Sequence, residues 1–218
     1  MDQIILSIDY PAKLAQQLKN NEIDIALLPV AAMLEIPGAR VISNYGIAAD
    51  GDVASVAIFS HVPIEKVSKV YLDYQSRTSV ALAKILLRDL WKKDVQYLEA
   101  GIDYISKIEN DTAGVIIGDR ALEQLGNFEY IYDLSAGWKA LTGLDFIFAA
   151  WVANKEINPV FVEAFEEANR FGIAHSDIVV EELQYNRYSL TEYYTKNIIF
   201  ELDERKLKGM KTFLDYLS

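Results

Sequence analysis

The chain reads as an α/β protein with largely parallel sheets, because strand-like runs alternate with helical patterns and several strands end on turns that open a helix. Two further observations support that class. Its 218 residues, 51% apolar and 24% charged, match a soluble globular chain able to bury a core. No Gly-rich, Pro-rich or repeated segment breaks it into an array or a disordered tail.

Taken in order, residues 4–8 (I-I-L-S-I) read as a strand, and Pro11 then opens a helix to about Lys19, proline's fixed φ suiting a first helical position. Residues 23–28 form the next strand, and 53–60 alternate before turning at Pro63. Residues 69–73 are a strand. The helix after it carries Val80, Ala83, Leu86, Leu87, Leu90 and Trp91 on one broad face. A short strand at 95–98, a helix bearing Ile102, Ile105 and Ile108, and an apolar strand at 113–117 follow, after which Gly118-Asp119 starts another helix. The last third has one long apolar strand at 146–152 and is otherwise helical. Asn158 as cap, Pro159 at the first position and Gly172 past the end bracket a helix whose inner face holds Phe161, Phe165 and Ala168. Ser189 with Glu192 forms a capping box, and Asp203 starts the final helix. Tyr193, Tyr194, Leu207, Met210, Phe213 and Leu214, at helical spacing, read as core.

The segment D-Y-Q-S-R-T-S-V-A-L (73–82) is the most informative, being a strand end, a hydroxyl-rich turn and a helix start. The unpaired N–H groups of a first helical turn, the hydroxyls of Ser76, Thr78 and Ser79 and the positive end of the helix dipole can converge on one carboxylate. The same residues also cap helices that bind nothing.

Composition removes several function classes. A net charge of −11 argues against a nucleic-acid surface, which needs clustered Lys and Arg. The basic residues Lys92, Lys93, Arg205, Lys206 and Lys208 sit in or near helices, where they are common without a ligand. With no cysteine, disulfides, thiolate nucleophiles and thiolate metal sites drop out, and two separated histidines, His61 and His175, do not make a metal site. No apolar run reaches the length of a membrane span, and the first residues lack a basic segment and a small-residue cleavage site. The expectation is a cytoplasmic protein with no membrane or nucleic-acid partner.

Two lobes can form without a linker. If the chain leaves a first lobe along 53–60 and returns along 146–152, those strands are adjacent crossovers, with residues 1–61 and 142–218 in lobe 1 and 62–141 in lobe 2. A ligand cleft then lies between the lobes, beyond the carboxyl ends of strands, where the turns at Ser76 and at Gly118-Asp119 both fall.

Several segments carry a resemblance in consistent order: N-E-I-D-I-A-L-L-P-V (21–30), G-D-V-A-S-V-A-I-F-S (51–60), Y-L-D-Y-Q-S-R-T-S-V-A-L (71–82), G-V-I-I-G-D-R-A-L (114–122), Y-D-L-S-A-G-W-K-A-L-T-G-L-D-F-I-F-A-A-W (132–151) and Y-Y-T-K-N-I-I-F-E-L-D (193–203). They resemble the chorismate dehydratase family of the futalosine menaquinone pathway. The resemblance implies a two-lobed fold like the type II periplasmic binding proteins. It also implies dehydration of chorismate to 3-(1-carboxyvinyloxy)benzoate, with no metal or organic cofactor and a small dicarboxylate as substrate. Losing the ring hydrogen beside the ether and the neighbouring hydroxyl makes the ring aromatic, so the substrate carries much of the driving force. The protein has to hold two carboxylates, exclude water and assist proton transfer.

Through the resemblance, Ser55 corresponds to a cleft-facing serine able to donate to a substrate carboxylate, or else to backbone nearby. Ser76, Thr78 and Ser79 match the family's anion-binding turn. Asp119 either orients a hydroxyl or caps its helix, and Trp138 and Trp151 either wall the cleft or pack at the crossover. No catalytic base is assigned, and a substrate carboxylate can serve. The acid groups are expected to be held by hydroxyls and main-chain amides rather than by cationic side chains or metal.

Two departures stand out. Relatives begin with a strand and a Ser-Tyr-Leu-Asn loop whose asparagine is expected in the active site; no such motif occurs here, and the sequence is expected to be a shortened version with little or no dehydratase activity. Asp145 stands where the family usually has proline, which affects the stiffness of the return crossover. Two alternatives are a noncatalytic carboxylate-binding protein of the same fold and the sister enzyme that makes dihydroxynaphthoate. The latter is expected to use a histidine base, and neither histidine here lies in a matching motif.

Overall fold

A computed structural model describes residues 4–183 and 185–218. Proline opens α1 (Pro11–Lys19) as expected, and the chain continues into β1 (Ala26–Pro29), a 3₁₀ turn over Val30–Glu35 and the long β2 (Arg40–Ala49). It crosses over to β3 (Val56–Ser60) and β4 (Lys69–Leu72), then α2 (Arg77–Asp89), β5 (Gln96–Glu99), β6 (Thr112–Ile117), α3 (Asp119–Gln124), β7 (Tyr130–Asp133) and α4 (Leu134–Thr142). The return strand β8 (Phe146–Ala153) leads to α5 (Pro159–Ala174), α6 (Ser176–Leu183), the one-turn α7 (Leu190–Glu192), a π-helical turn at Tyr193–Asn197, β9 (Ile199–Glu201) and α8 (Glu204–Leu217).

These strands form two sheets, ordered β1-β8-β2-β9 and β5-β4-β6-β3-β7, one per lobe. The expectation of largely parallel sheets fails: five of the seven pairings are antiparallel, and only β4 with β5 and β4 with β6 run parallel. The reason is topological. Only β4, β5 and β6 are joined by crossovers that return the chain to the same end, whereas β8 comes back from the second lobe and inserts between β1 and β2 in the opposite direction. β3 and β8 are also not neighbours, because β3 pairs with β6 and β7 in the second sheet. The crossovers are the short segments 50–55 and 143–145, and Lys139 of α4 ion-pairs with both Asp50 and, at 3.6 Å, Asp145. Asp145 is buried and also lies 3.3 Å from Arg205 of α8.

Three other expectations are corrected. The expected strand at 4–8 does not form among the described residues, which offer it no pairing, and Ile5 and Ile8 are each 91% exposed. A strand needs a neighbour for its N–H and C=O groups, and the first sheet ends at β1, which has a described partner only in β8. Replacing Ile5 with serine is therefore expected to leave stability within about 0.5 kcal/mol in urea unfolding. A loss above about 1 kcal/mol would mean that the side chain is buried after all. The helix expected around Ile102, Ile105 and Ile108 is only a 3₁₀ turn at Tyr104–Lys107, and Ile102 faces solvent. Gly172 does not end α5, which runs two residues further.

Trp138 and Trp151 do not wall a cleft. Trp138 is fully buried, with edge-on contacts to Phe146, Phe213 and Tyr216, and Trp151 packs against Phe165 while its indole N–H donates to Asn169. Apolar burial runs continuously from Leu28 and Ala48 in the first sheet to Val56, Ile58, Leu82 and Leu86 in the second lobe, so one core underlies both.

Candidate functional site

Sheet order determines where the expected site residues meet. β4, β6 and β3 are neighbours, β4 and β6 parallel and β3 opposed. The end of β4, the end of β6 and the start of β3 therefore share one edge of the second sheet, and Ser76, Asp119 and Ser55 stand just beyond those three points. Across two strand spacings the edge spans about 10 Å.

At one end of this edge, Ser55 is buried and closes the first crossover. Ala54 before it takes a left-handed φ of 62°, unusual for a residue with a Cβ. The Ser55 carbonyl accepts the Gly118 N–H at 2.7 Å, which ties the crossover to the β6–α3 turn. Gly118 itself has φ 63° and ψ −146°, open in practice only to glycine. Asp119 therefore sits beside Ser55. It is exposed, and the N-cap of α3 is Gly118, so Asp119 is not the cap of its helix.

The Ser55 hydroxyl shares a hydrogen bond of 2.7 Å with the phenol of Tyr193. Tyr193 opens the π-helical turn, and burial raises its pKa, with the negative charge of Asp119 adding to the rise, so the phenol is neutral at physiological pH. Tyr185 lies in the same region, its pKa raised by burial and then by Asp119, and its buried hydroxyl has no partner among the described residues. Sequence spacing assigned Tyr193 to a helical core. Its ring does pack against the core, and only the register of the C-terminal segment against the crossover reveals that its hydroxyl meets Ser55.

At the other end, the α2 turn is arranged as a cap. Ser76 accepts the Ser79 N–H at 3.2 Å, and the two hydroxyls lie 2.9 Å apart. The Thr78 hydroxyl accepts the Ala31 N–H at 3.1 Å from the opposite lobe, and Arg77 ion-pairs across to Glu35. The cavity beside this contact, lined by Pro29, Ala32, Glu35, Gln75 and Arg77, measures about 60 Å³, room for a few waters. The structure thus groups Ser76, Thr78 and Ser79 together and Ser55 with Asp119, on one edge, with the lobes in contact at α2.

Between the two groups lies a network that sequence reasoning did not find. The fully buried Asp73 carboxylate accepts Gln75 N–H at 2.7 Å and Arg120 Nη2 at 2.7 Å, and lies 2.8 Å from the Tyr104 hydroxyl. Burial, then the charge of Asp73, raises the pKa of Tyr104. Arg120 also donates to Gln75 and lies over the Tyr74 ring. The signal was weak, since Arg120 is one residue past Asp119 and Asp73 one residue past a strand.

Asp133 supports the site from beneath. Its carboxylate accepts Val53 N–H (2.9 Å) and Ala54 N–H (2.8 Å) on one oxygen and Ser135 N–H (2.9 Å) and Ala136 N–H (3.1 Å) on the other. One side chain caps α4 and fixes the crossover that carries Ser55. Burial pushes this carboxyl up to about 6 against the downward pull of its backbone donors. Among the described residues no group of three or more potential metal ligands converges. His61 stacks on Phe128, and the His175 ring lies tilted against Phe171 with its Nδ1 2.8 Å from the Phe171 carbonyl oxygen.

Known proteins match this architecture. Protein AF1704 from Archaeoglobus fulgidus superposes with a TM-score of 0.68 at 15% identity, covering 96% of this chain and 84% of that one. The periplasmic aliphatic sulphonate binding protein SsuA from Escherichia coli gives 0.63 at 15%, covering 94% and 78%. The fold is thus the two-lobed α/β fold of solute-binding proteins, as the sequence resemblance implied. A chorismate dehydratase of Thermus thermophilus is 28% identical over 95% of this chain and 84% of its own length. No helix among the described residues is long and apolar enough to cross a membrane. The family model described as menaquinone biosynthesis matches residues 2–218, and this chain therefore belongs to the menaquinone biosynthesis family.

Proposed function

We propose that this chain is a carbon–oxygen lyase that dehydrates chorismate to 3-(1-carboxyvinyloxy)benzoate and water, without a cofactor. The observation that carries the reading is the similarity to the Thermus chorismate dehydratase over nearly the whole chain. The edge of the second sheet supports it, because hydroxyls at both ends of a span of about 10 Å suit a molecule with two separated acid groups. In this reading Ser55 donates to one carboxylate and the turn of Ser76, Thr78 and Ser79 receives the other, while Asp119 orients the ring hydroxyl. The proton beside the ether passes to a base, for which a substrate carboxylate suffices, the hydroxyl departs as water and the ring becomes aromatic. Because Thr78 and Arg77 now hold the opposite lobe, the lobes must part at α2 for a ligand to enter, a motion common to hinged two-domain proteins.

Mass analysis of chorismate incubations tests the reading. An aromatic product lighter than chorismate by one water is expected. Binding without product would favour a carboxylate-binding protein, and neither binding nor product would refute the reading. Ser55→Ala is expected to weaken chorismate binding about tenfold in calorimetry, the loss of one hydrogen bond to a charged group. Unchanged affinity would remove Ser55 from the site.

A further inference from the structure

We propose that Tyr193 is a substrate-contacting residue, the second donor of a two-hydroxyl clamp in which the Tyr193 phenol and the Ser55 hydroxyl together hold one carboxylate of the substrate. The proposal deepens the dehydratase reading and rests on it. Its starting observation is the 2.7 Å hydrogen bond between the two hydroxyls at the crossover. Two hydroxyl groups bring two protons, and only one lies in the bond between them. The other is free to point outward, and when a carboxylate settles beside the pair their mutual bond opens so that it accepts from both.

Burial keeps the phenol protonated, so it remains a donor across the physiological range. That matters beside Asp119, because a phenolate would add a second negative charge against an anionic ligand whereas a neutral phenol adds none. The donor is also held in place. Tyr193 opens a π-helical turn closed by the Ile198 N–H on the Tyr193 carbonyl at 2.9 Å, an irregularity found often at functional sites. Asn197 in the same turn donates to the Asp52 carbonyl at 3.0 Å and accepts from the Tyr188 hydroxyl at 3.0 Å. One end of its amide fixes the C-terminal segment onto the crossover that ends at Ser55, and the other ties Tyr188 to the π turn. The Tyr188 ring meets Tyr193 edge-on and limits its swing. A tyrosine needed only for packing would not require its hydroxyl to be aimed at a buried serine, and would not need a pinned π turn behind it.

Calorimetric titration of chorismate into the unmodified chain, Tyr193→Phe, Ser55→Ala and the double variant tests the assignment, with thermal unfolding confirming that each variant is folded. Tyr193→Phe is expected to raise Kd about tenfold, Ser55→Ala by a similar factor, and the double variant by less than the product of the two, because both donors serve one acid group. If Tyr193→Phe binds as the unmodified chain does while Ser55→Ala binds more weakly, the clamp is wrong and the dehydratase reading stands. Tighter binding by Tyr193→Phe would also overturn the clamp, since the phenol would then compete with the ligand for Ser55. Titration of chorismate with no heat from the unmodified chain would overturn both.

Discussion

Asp133→Asn is expected to lower the unfolding free energy by about 3 kcal/mol, from two buried N–H groups left without acceptors at roughly 1–3 kcal/mol each. The native carboxylate meets four backbone donors, two on each oxygen. Asparagine keeps one oxygen. With that oxygen on Ser135 and Ala136 it remains a good N-cap, but its amide nitrogen then faces the N–H groups of Val53 and Ala54, donor against donor. Turning the amide round moves the conflict to α4. A protonated aspartic acid would suffer less, because its hydroxyl oxygen still has a lone pair to offer, whereas an amide nitrogen has none. Urea unfolding at pH 8 makes the cleanest comparison, since a carboxyl pushed up to about 6 by burial is ionised there. Because the lost bonds belong to the crossover beneath Ser55, chorismate affinity should fall together with stability. A variant as stable as the parent at pH 8 would show that the buried charge costs as much as its four donors return.

The same interaction shows what the sequence concealed. Asp133 is the last residue of β7 and precedes α4, so its capping of Ser135 and Ala136 is local, but its two bonds to Val53 and Ala54 span about 80 residues and leave no periodic trace. Local signals served well elsewhere: Pro11, Asn158 and Asp203 all mark observed helix starts, and Asn158 and Asp203 cap as expected. Where a segment's state depends on its neighbour, they failed. Residues 4–8 have strand composition and no partner among the described residues, whereas β2, which was not anticipated, is held between β8 and β9 although its sequence mixes Arg40, Ser43, Asn44 and Gly46 with apolar residues. The candidate site was partly legible for the same reason. Ser76, Thr78 and Ser79 lie within one turn of chain, and Ser55 and Asp119 were singled out through motif order, but Tyr193 and Arg120 reach the edge only after the sheet and the C-terminal segment are in place.

Gly209→Ala is expected to destabilise the protein by at least about 2 kcal/mol, although alanine is the better helix former by about 1 kcal/mol. Gly209 lies within α8, and a Cβ built there would stand 2.1 Å from the Asp145 carbonyl oxygen and 3.5 Å from Leu144 Cβ. Backbone is the obstacle, so no rotamer relieves the clash. Either α8 lifts or the return crossover moves, and both are fixed. The Asp145 side chain is buried between Lys139 and Arg205, and Phe213, one turn further along α8, fits against Trp138 and Phe146 in the centre of the core. Moving α8 by the 1 Å or more needed for ordinary contact would open those aromatic contacts, and interiors packed to crystal density do not absorb such a shift without loss. Urea denaturation should show the midpoint falling with an unchanged slope, the sign of a less stable native state rather than a different unfolded one. Stability equal to or above that of the parent would mean that the helix and the crossover can separate freely. The return path into β8 would then be far softer than its buried Asp145 and close-packed glycine imply.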